Sequence, residues 1–86
     1  MDTYPKVKSV KPLHKKKLLV TFKNNIQKIY DCTSILQESV FSPLKDEMLF
    51  RSVKADQGGY GISWNDEIDL SESELWVNGF APEQIY

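Results

Sequence analysis

One histidine, one cysteine, a group of acids and a glycine-rich tetrapeptide are the residues of this chain best suited to chemistry. His14 lies in the run His14-Lys15-Lys16-Lys17. A histidine base works on a nucleophile within hydrogen-bond reach and needs an acid to orient it. No serine of the chain sits in the G-x-S-x-G elbow that would supply such a nucleophile. Flanked by lysines, His14 reads as a solvated loop residue. Cys32 follows Asp31, and a reactive thiolate needs a base or a positive neighbour; a small buried side chain is the better reading. Asp66, Glu67 and Asp69, with Asp56 as a further oxygen donor, suggest a hard cation. The spacing is not that of an EF-hand loop, and its closing glutamate is missing. Gly58-Gly59-Tyr60-Gly61 lacks the spacing and lysine of a phosphate-binding loop, so it reads as a hairpin turn. These residues therefore point to no catalytic group, no metal ligand and no cofactor site.

Charge is the more informative signal. The 86 residues carry a net charge of −1, but the two signs are segregated. Residues 1–30 hold eight lysines against the single acid Asp2, whereas residues 31–86 hold Lys45, Arg51 and Lys54 against eleven acids. Such asymmetry either solubilises strands and helix starts or gives a bipolar surface that attracts an acidic partner. One cysteine allows no internal disulfide, and the first residues lack the apolar core of a signal peptide. No apolar run approaches a membrane span. A cytoplasmic single domain over residues 1–86 is expected, with a thin stability margin because so short a chain buries a limited share of its surface.

The elements that would carry these residues can be read from period and punctuation. Lys6–Leu13, Leu18–Phe22 and Ile26–Asp31 alternate as strands, with turn chemistry at His14–Lys17 and at Lys23-Asn24-Asn25. They predict a three-stranded antiparallel meander. Ser34–Ser39 predicts a short helix started by a Ser34/Gln37 capping box, and Ser42-Pro43 a second start that puts Leu44 and Met48 on one face. Ser52–Ala55 and Tyr60–Trp64 predict a hairpin across Asp56–Gly59, with Tyr60, Ile62 and Trp64 on the core face. Ser71 and Glu74 form a capping box for a helix over Glu72–Asn78, stapled by Leu70 and Leu75 and closed by a left-handed Gly79. The tail Phe80–Tyr86 either packs on the core or is a sticky end. The fold expected is α+β: a mainly antiparallel sheet of about five strands with two or three short helices.

In order, K-V-K-S-V-K-P-L, L-L-V-T-F, K-I-Y-D-C, V-F-S-P-L-K-D, L-F-R-S-V, I-S-W and I-D-L-S-x-x-x-L resemble the prokaryotic family called domain of unknown function 2442, over about residues 4–79. The resemblance implies a small α+β domain, found alone or beside a helix-turn-helix segment; no such segment is expected here. It also implies a gene neighbourhood suggestive of a toxin–antitoxin-like or regulatory pair, and it brings no catalytic residue. Asp66-Glu67 departs from the proline-asparagine-glycine turn of many relatives.

The function expected is therefore recognition of another protein, not catalysis. Trp76 is a candidate anchor, because it neighbours Leu75 on a two-turn helix and the two cannot point the same way. Tyr86, Lys15, Lys16 and Lys17 are the other candidate contacts. The alternative is a nucleic-acid-binding accessory domain that sets Lys8, Lys11, Lys15–Lys17, Lys23 and Lys28 on phosphates. It is opposed by the acidic overall balance and by the absence of arginine from residues 1–30.

Overall fold

The computed structural model describes residues 4–82. Six strands form two antiparallel three-stranded sheets. The first sheet is the expected meander, β1 (Val7–Pro12), β2 (Lys17–Phe22) and β3 (Gln27–Asp31), in the order β1-β2-β3. The second joins β4 (Lys54–Ala55), β5 (Gly61–Asn65) and β6 (Ile68–Ser71) in the order β4-β5-β6. Two α-helices, α1 (Glu47–Phe50) and α2 (Glu72–Asn78), accompany them, with 3-10 turns at His14–Lys16, Ser34–Gln37, Ser42–Lys45 and Gln57–Gly59. β1 lies beside β4 and β5, while α2 lies against β3, β5 and β6. The two sheets and α2 thus wrap one core.

Alternation on β2 explains the packing. Leu18, Val20 and Phe22 are buried in the main core with Val7, Tyr30, Leu44, Phe50, Ile62, Trp64, Leu70 and Leu75. Lys17, Leu19 and Thr21 must then face away from it. Their cross-strand partners, Lys11 and Ser9 on β1 and Asp31, Ile29 and Gln27 on β3, share that outer face, which is covered at the fully buried Ile29. The far edge of the sheet is closed by Phe80, whose N–H and C=O exchange hydrogen bonds with Ile29 at 3.0 and 2.8 Å. The start of the tail is therefore docked; Ile85 and Tyr86 lie outside the described residues.

Several expectations need correction. Asp66, Glu67 and Asp69 do not form one acidic cluster: Asn65 Oδ1 accepts from the N–H groups of Glu67 and Ile68, folds a tight turn and starts the strand β6. Ile68 and Leu70 then alternate inward while Asp69 faces solvent. Tyr60 does not join the Ile62/Trp64 face and is 62% exposed. Its backbone is helical (φ −79°, ψ −1°) after the left-handed Gly58 and Gly59, so strand alternation starts only at Gly61. Ser34–Gln37 is a single 3-10 turn that ends before Ser39, and Ser42–Lys45 is another. The following α1 is a separate element, capped by Asp46, whose carboxylate accepts from Met48 N–H at 3.1 Å. Leu44 and Met48 consequently share no helix face: Leu44 is buried and Met48 is 84% exposed.

The helix α2 spans the residues expected, but its ends work differently. Ser71 Oγ accepts from Glu74 N–H at 3.2 Å. The returning arm of the capping box does not form, because the Glu74 carboxylate accepts from the Tyr30 hydroxyl at 2.8 Å instead. Gly79 is extended, not left-handed (φ −79°, ψ 162°). It is needed for space: a Cβ there would come within 2.6 Å of Leu75 O and 3.0 Å of Lys28 Cβ. Ser71→Ala should cost about 1 kcal/mol, the usual worth of such a cap, read as a lower urea midpoint with an unchanged slope.

Candidate functional site

The lysines of residues 1–30 divide into those held within the domain and those that pair with no other described residue. Lys6 pairs with Glu72 at 2.9 Å and lies 4.4 Å from the Tyr60 ring centroid. Lys28 donates to Trp76 O at 2.5 Å and stands 4.0 Å over the Trp76 ring. Lys16 pairs with Glu47 at 2.6 Å, donates to Lys45 O at 3.3 Å and sits 5.1 Å from the Phe50 centroid. By contrast, Lys8, Lys11, Lys15, Lys17 and Lys23 make no ion pair with any other described residue. Lys11 and Lys17 flank Leu19 on the outer face of the first sheet, one across the strand pair and one two residues away.

The sequence grouped Lys15, Lys16 and Lys17 as neighbouring contacts, but the structure gives them three different roles. Leu13 N–H bonds Lys17 O at 2.7 Å and closes the β1–β2 hairpin over His14–Lys16. Inside it, Lys15 and Lys16 are both left-handed, with φ 62° and 61°. For residues with a Cβ that conformation costs roughly 1–2 kcal/mol each, and hairpins usually place asparagine or glycine there. Lys16 has internal ties that offset the strain: the contacts above, and its carbonyl accepting from Cys32 N–H at 2.9 Å. Lys15 is exposed, and its side chain bonds no other described residue. Lys17 is half-buried opposite Asp31. Burial pushes the Asp31 carboxyl up, but hydrogen bonds from Thr33 and the Lys17 charge outweigh it and hold the group below its usual range. The hydrogen bond from Lys16, helped by Arg51, likewise holds the exposed Glu47 carboxyl low.

Trp76 is not the exposed anchor the sequence suggested. α2 lies between two sheets and therefore has two packed flanks. Leu75 fills the core, and Trp76 turns toward the first sheet, its ring edge-on to Phe22 (5.0 Å between centroids, 88° between planes). Val77, which sequence reasoning did not single out, is the exposed apolar residue of this helix at 61%. Tyr86 lies outside the described residues.

The chemical candidates also fall into place. Burial pushes the Cys32 thiol up to about 12, and Asp31 adds to this against Lys16, so it is no thiolate. Burial, then the bond to Glu74, raises the Tyr30 phenol. His14 is exposed at the hairpin. Asp66 and Glu67 are exposed in the β5–β6 turn, whereas Asp56 is turned to Ser63, accepting its hydroxyl at 2.6 Å. Among the described residues no group of three potential ligands converges on a metal position, no pocket opens, and no helix is long and apolar enough to cross a membrane.

The fold is that of a small, mainly antiparallel α+β domain. The chain belongs to the family described as protein of unknown function DUF2442, whose model matches residues 7–81. No curated protein and no solved structure matches the chain.

Proposed function

We propose that this domain is a non-catalytic protein-interaction module acting in the cytoplasm of a prokaryotic cell, and that it meets an acidic partner through lysines that make no ion pair with another described residue. The observation that carries this reading is the placement of Lys11 and Lys17 around Leu19 on the outer sheet face, with Lys15 at the adjoining hairpin end. Three other lysines of the same half are held by Glu72, Glu47 and Trp76, so those without an ion pair among the described residues are a subset defined by the fold. Charge of this kind orients docking and raises its rate more than it adds affinity. A regulatory, toxin–antitoxin-like pairing, as the family resemblance implies, belongs to the same proposal.

A second reading is that the same lysines contact nucleic acid. The acidic overall balance of the chain and the lack of arginine in residues 1–30 oppose it. The test is a tagged pull-down from the native host with and without nuclease. One stoichiometric protein that survives nuclease, and that is lost with the double variant Lys11→Glu/Lys17→Glu, is the expected result. Signal that disappears with nuclease would replace this reading with the second.

A further inference from the structure

We infer that Lys15, at the strained end of the β1–β2 hairpin, is the anchor at which a glutamate- or aspartate-rich protein segment docks; this rests on the reading of the domain as a protein-interaction module. Lys15 and Lys16 adopt the same unfavourable backbone conformation side by side. For Lys16 the domain itself supplies the compensation: a carboxylate, a carbonyl and an aromatic face. For Lys15 no described residue does so, and its ammonium stands in solvent. The hairpin closed by Leu13 N–H on Lys17 O imposes that conformation, yet Lys15 stands where asparagine or glycine would cost less, a choice that fits a side chain serving a contact outside the fold. Local chemistry defines the partner. Lys15 offers a fully hydrated donor, Lys11 and Lys17 continue the positive charge along the outer face, and Leu19 between them is apolar and half-buried. A segment with spaced carboxylates and an apolar side chain fits this arrangement. Leu19 gives an apolar side chain of such a segment a place that a phosphate chain does not fill.

The experiment uses the full chain and two probes: a fluorescein-labelled peptide alternating glutamate with leucine, and a labelled 20-base oligonucleotide. Lys15→Asn should raise Tm by about 4 °C, since asparagine tolerates the left-handed region. It should weaken peptide binding about tenfold at low salt, the loss of one charge-assisted hydrogen bond. Lys15→Arg should bind as the wild type does. Lys54→Asn removes an equal charge from β4 and should leave the affinity unchanged. If Lys15→Asn is stabilised yet binds the peptide normally, or if Lys54→Asn weakens binding equally, Lys15 is no anchor, though the module reading stands. Wild-type protein that ignores the peptide, or that prefers the oligonucleotide, overturns both.

Discussion

Gly61→Ala should be among the most damaging single-methyl changes available in this chain, costing about 3 kcal/mol or more, at the upper end of what overpacking costs. The reason is space, since Gly61 is not in the left-handed region. It is buried, opens β5 and pairs with Ser71. A Cβ there would collide with the Leu70 carbonyl oxygen and lie 3.2 Å from both Leu70 C and Ser71 Cα. All three obstacles are backbone atoms of β6, so relief requires the two strands to part. That opening would reach further, because Ser71 caps α2 and Glu72 N–H bonds Tyr60 O at 3.0 Å. A chain of this length holds a total stability of about 4–13 kcal/mol, so the variant should melt roughly 12 °C or more lower. Gly58 makes the contrast. It is left-handed at φ 86°, but an added Cβ meets only the ring of exposed Tyr60, 2.9 Å away at its nearest atom. Gly58→Ala should cost about 1 kcal/mol, from backbone conformation alone. Thermal melts of the two variants by circular dichroism separate the mechanisms; equal losses would mean that the close approach of β5 to β6 does not limit this site.

The same glycines show how far the sequence could be read. Gly58-Gly59-Tyr60-Gly61 was legible as a hairpin turn, and φ 86° and 81° at Gly58 and Gly59 fulfil that reading. Nothing in the sequence distinguished Gly61, because its role depends on a strand seven or more residues away. The meander and α2 were legible because local signals agreed with long-range packing: alternation on β2, asparagines at the turn, Ser71 before an apolar run. β6 was missed because Asp66, Glu67 and Asp69 look like a solvated loop. The alternation of Ile68 and Leu70 was the available signal. Ser34–Ser39 and the start at Ser42-Pro43 are over-read as helices, since capping residues mark a start without ensuring that enough turns follow.

For the surface, the sequence shows the charge but cannot divide it. Lys15, Lys16 and Lys17 are one run in the chain, yet only Lys16 is committed to an ion pair, with Glu47 of α1, while Lys17 lies across the strand pair from Asp31. Pairing of this kind is tertiary information. The same holds for Trp76: a helix with a neighbour on one side would have to expose it, whereas a helix wedged between sheets does not.

That placement changes what removing Trp76 should do. An exposed anchor truncated to alanine would weaken a complex and leave the domain intact. Trp76→Ala is instead expected to destabilise the fold by about 3 kcal/mol, the lower end for loss of a large aromatic because the ring is only partly buried. It removes the edge-on contact with Phe22, which is fully buried, and the ring beneath the Lys28 ammonium. Lys28 would keep its bond to the carbonyl of residue 76, a backbone group, so the loss is one of packing more than of tethering. Tm should fall by roughly 12–24 °C. Trp76→Phe, which retains an aromatic face for Phe22 and Lys28, should recover most of it. Trp64, whose indole N–H donates to Phe50 O at 2.9 Å in the core, then reports unfolding by its fluorescence in both variants. Measured well below the lowered Tm, affinity for the acidic peptide should match that of the wild type, because the ring faces the sheet core while Lys11 and Lys15 lie on the opposite face and at the hairpin end. A Trp76→Ala variant with normal Tm and weakened binding would reverse this assignment and return Trp76 to the interface.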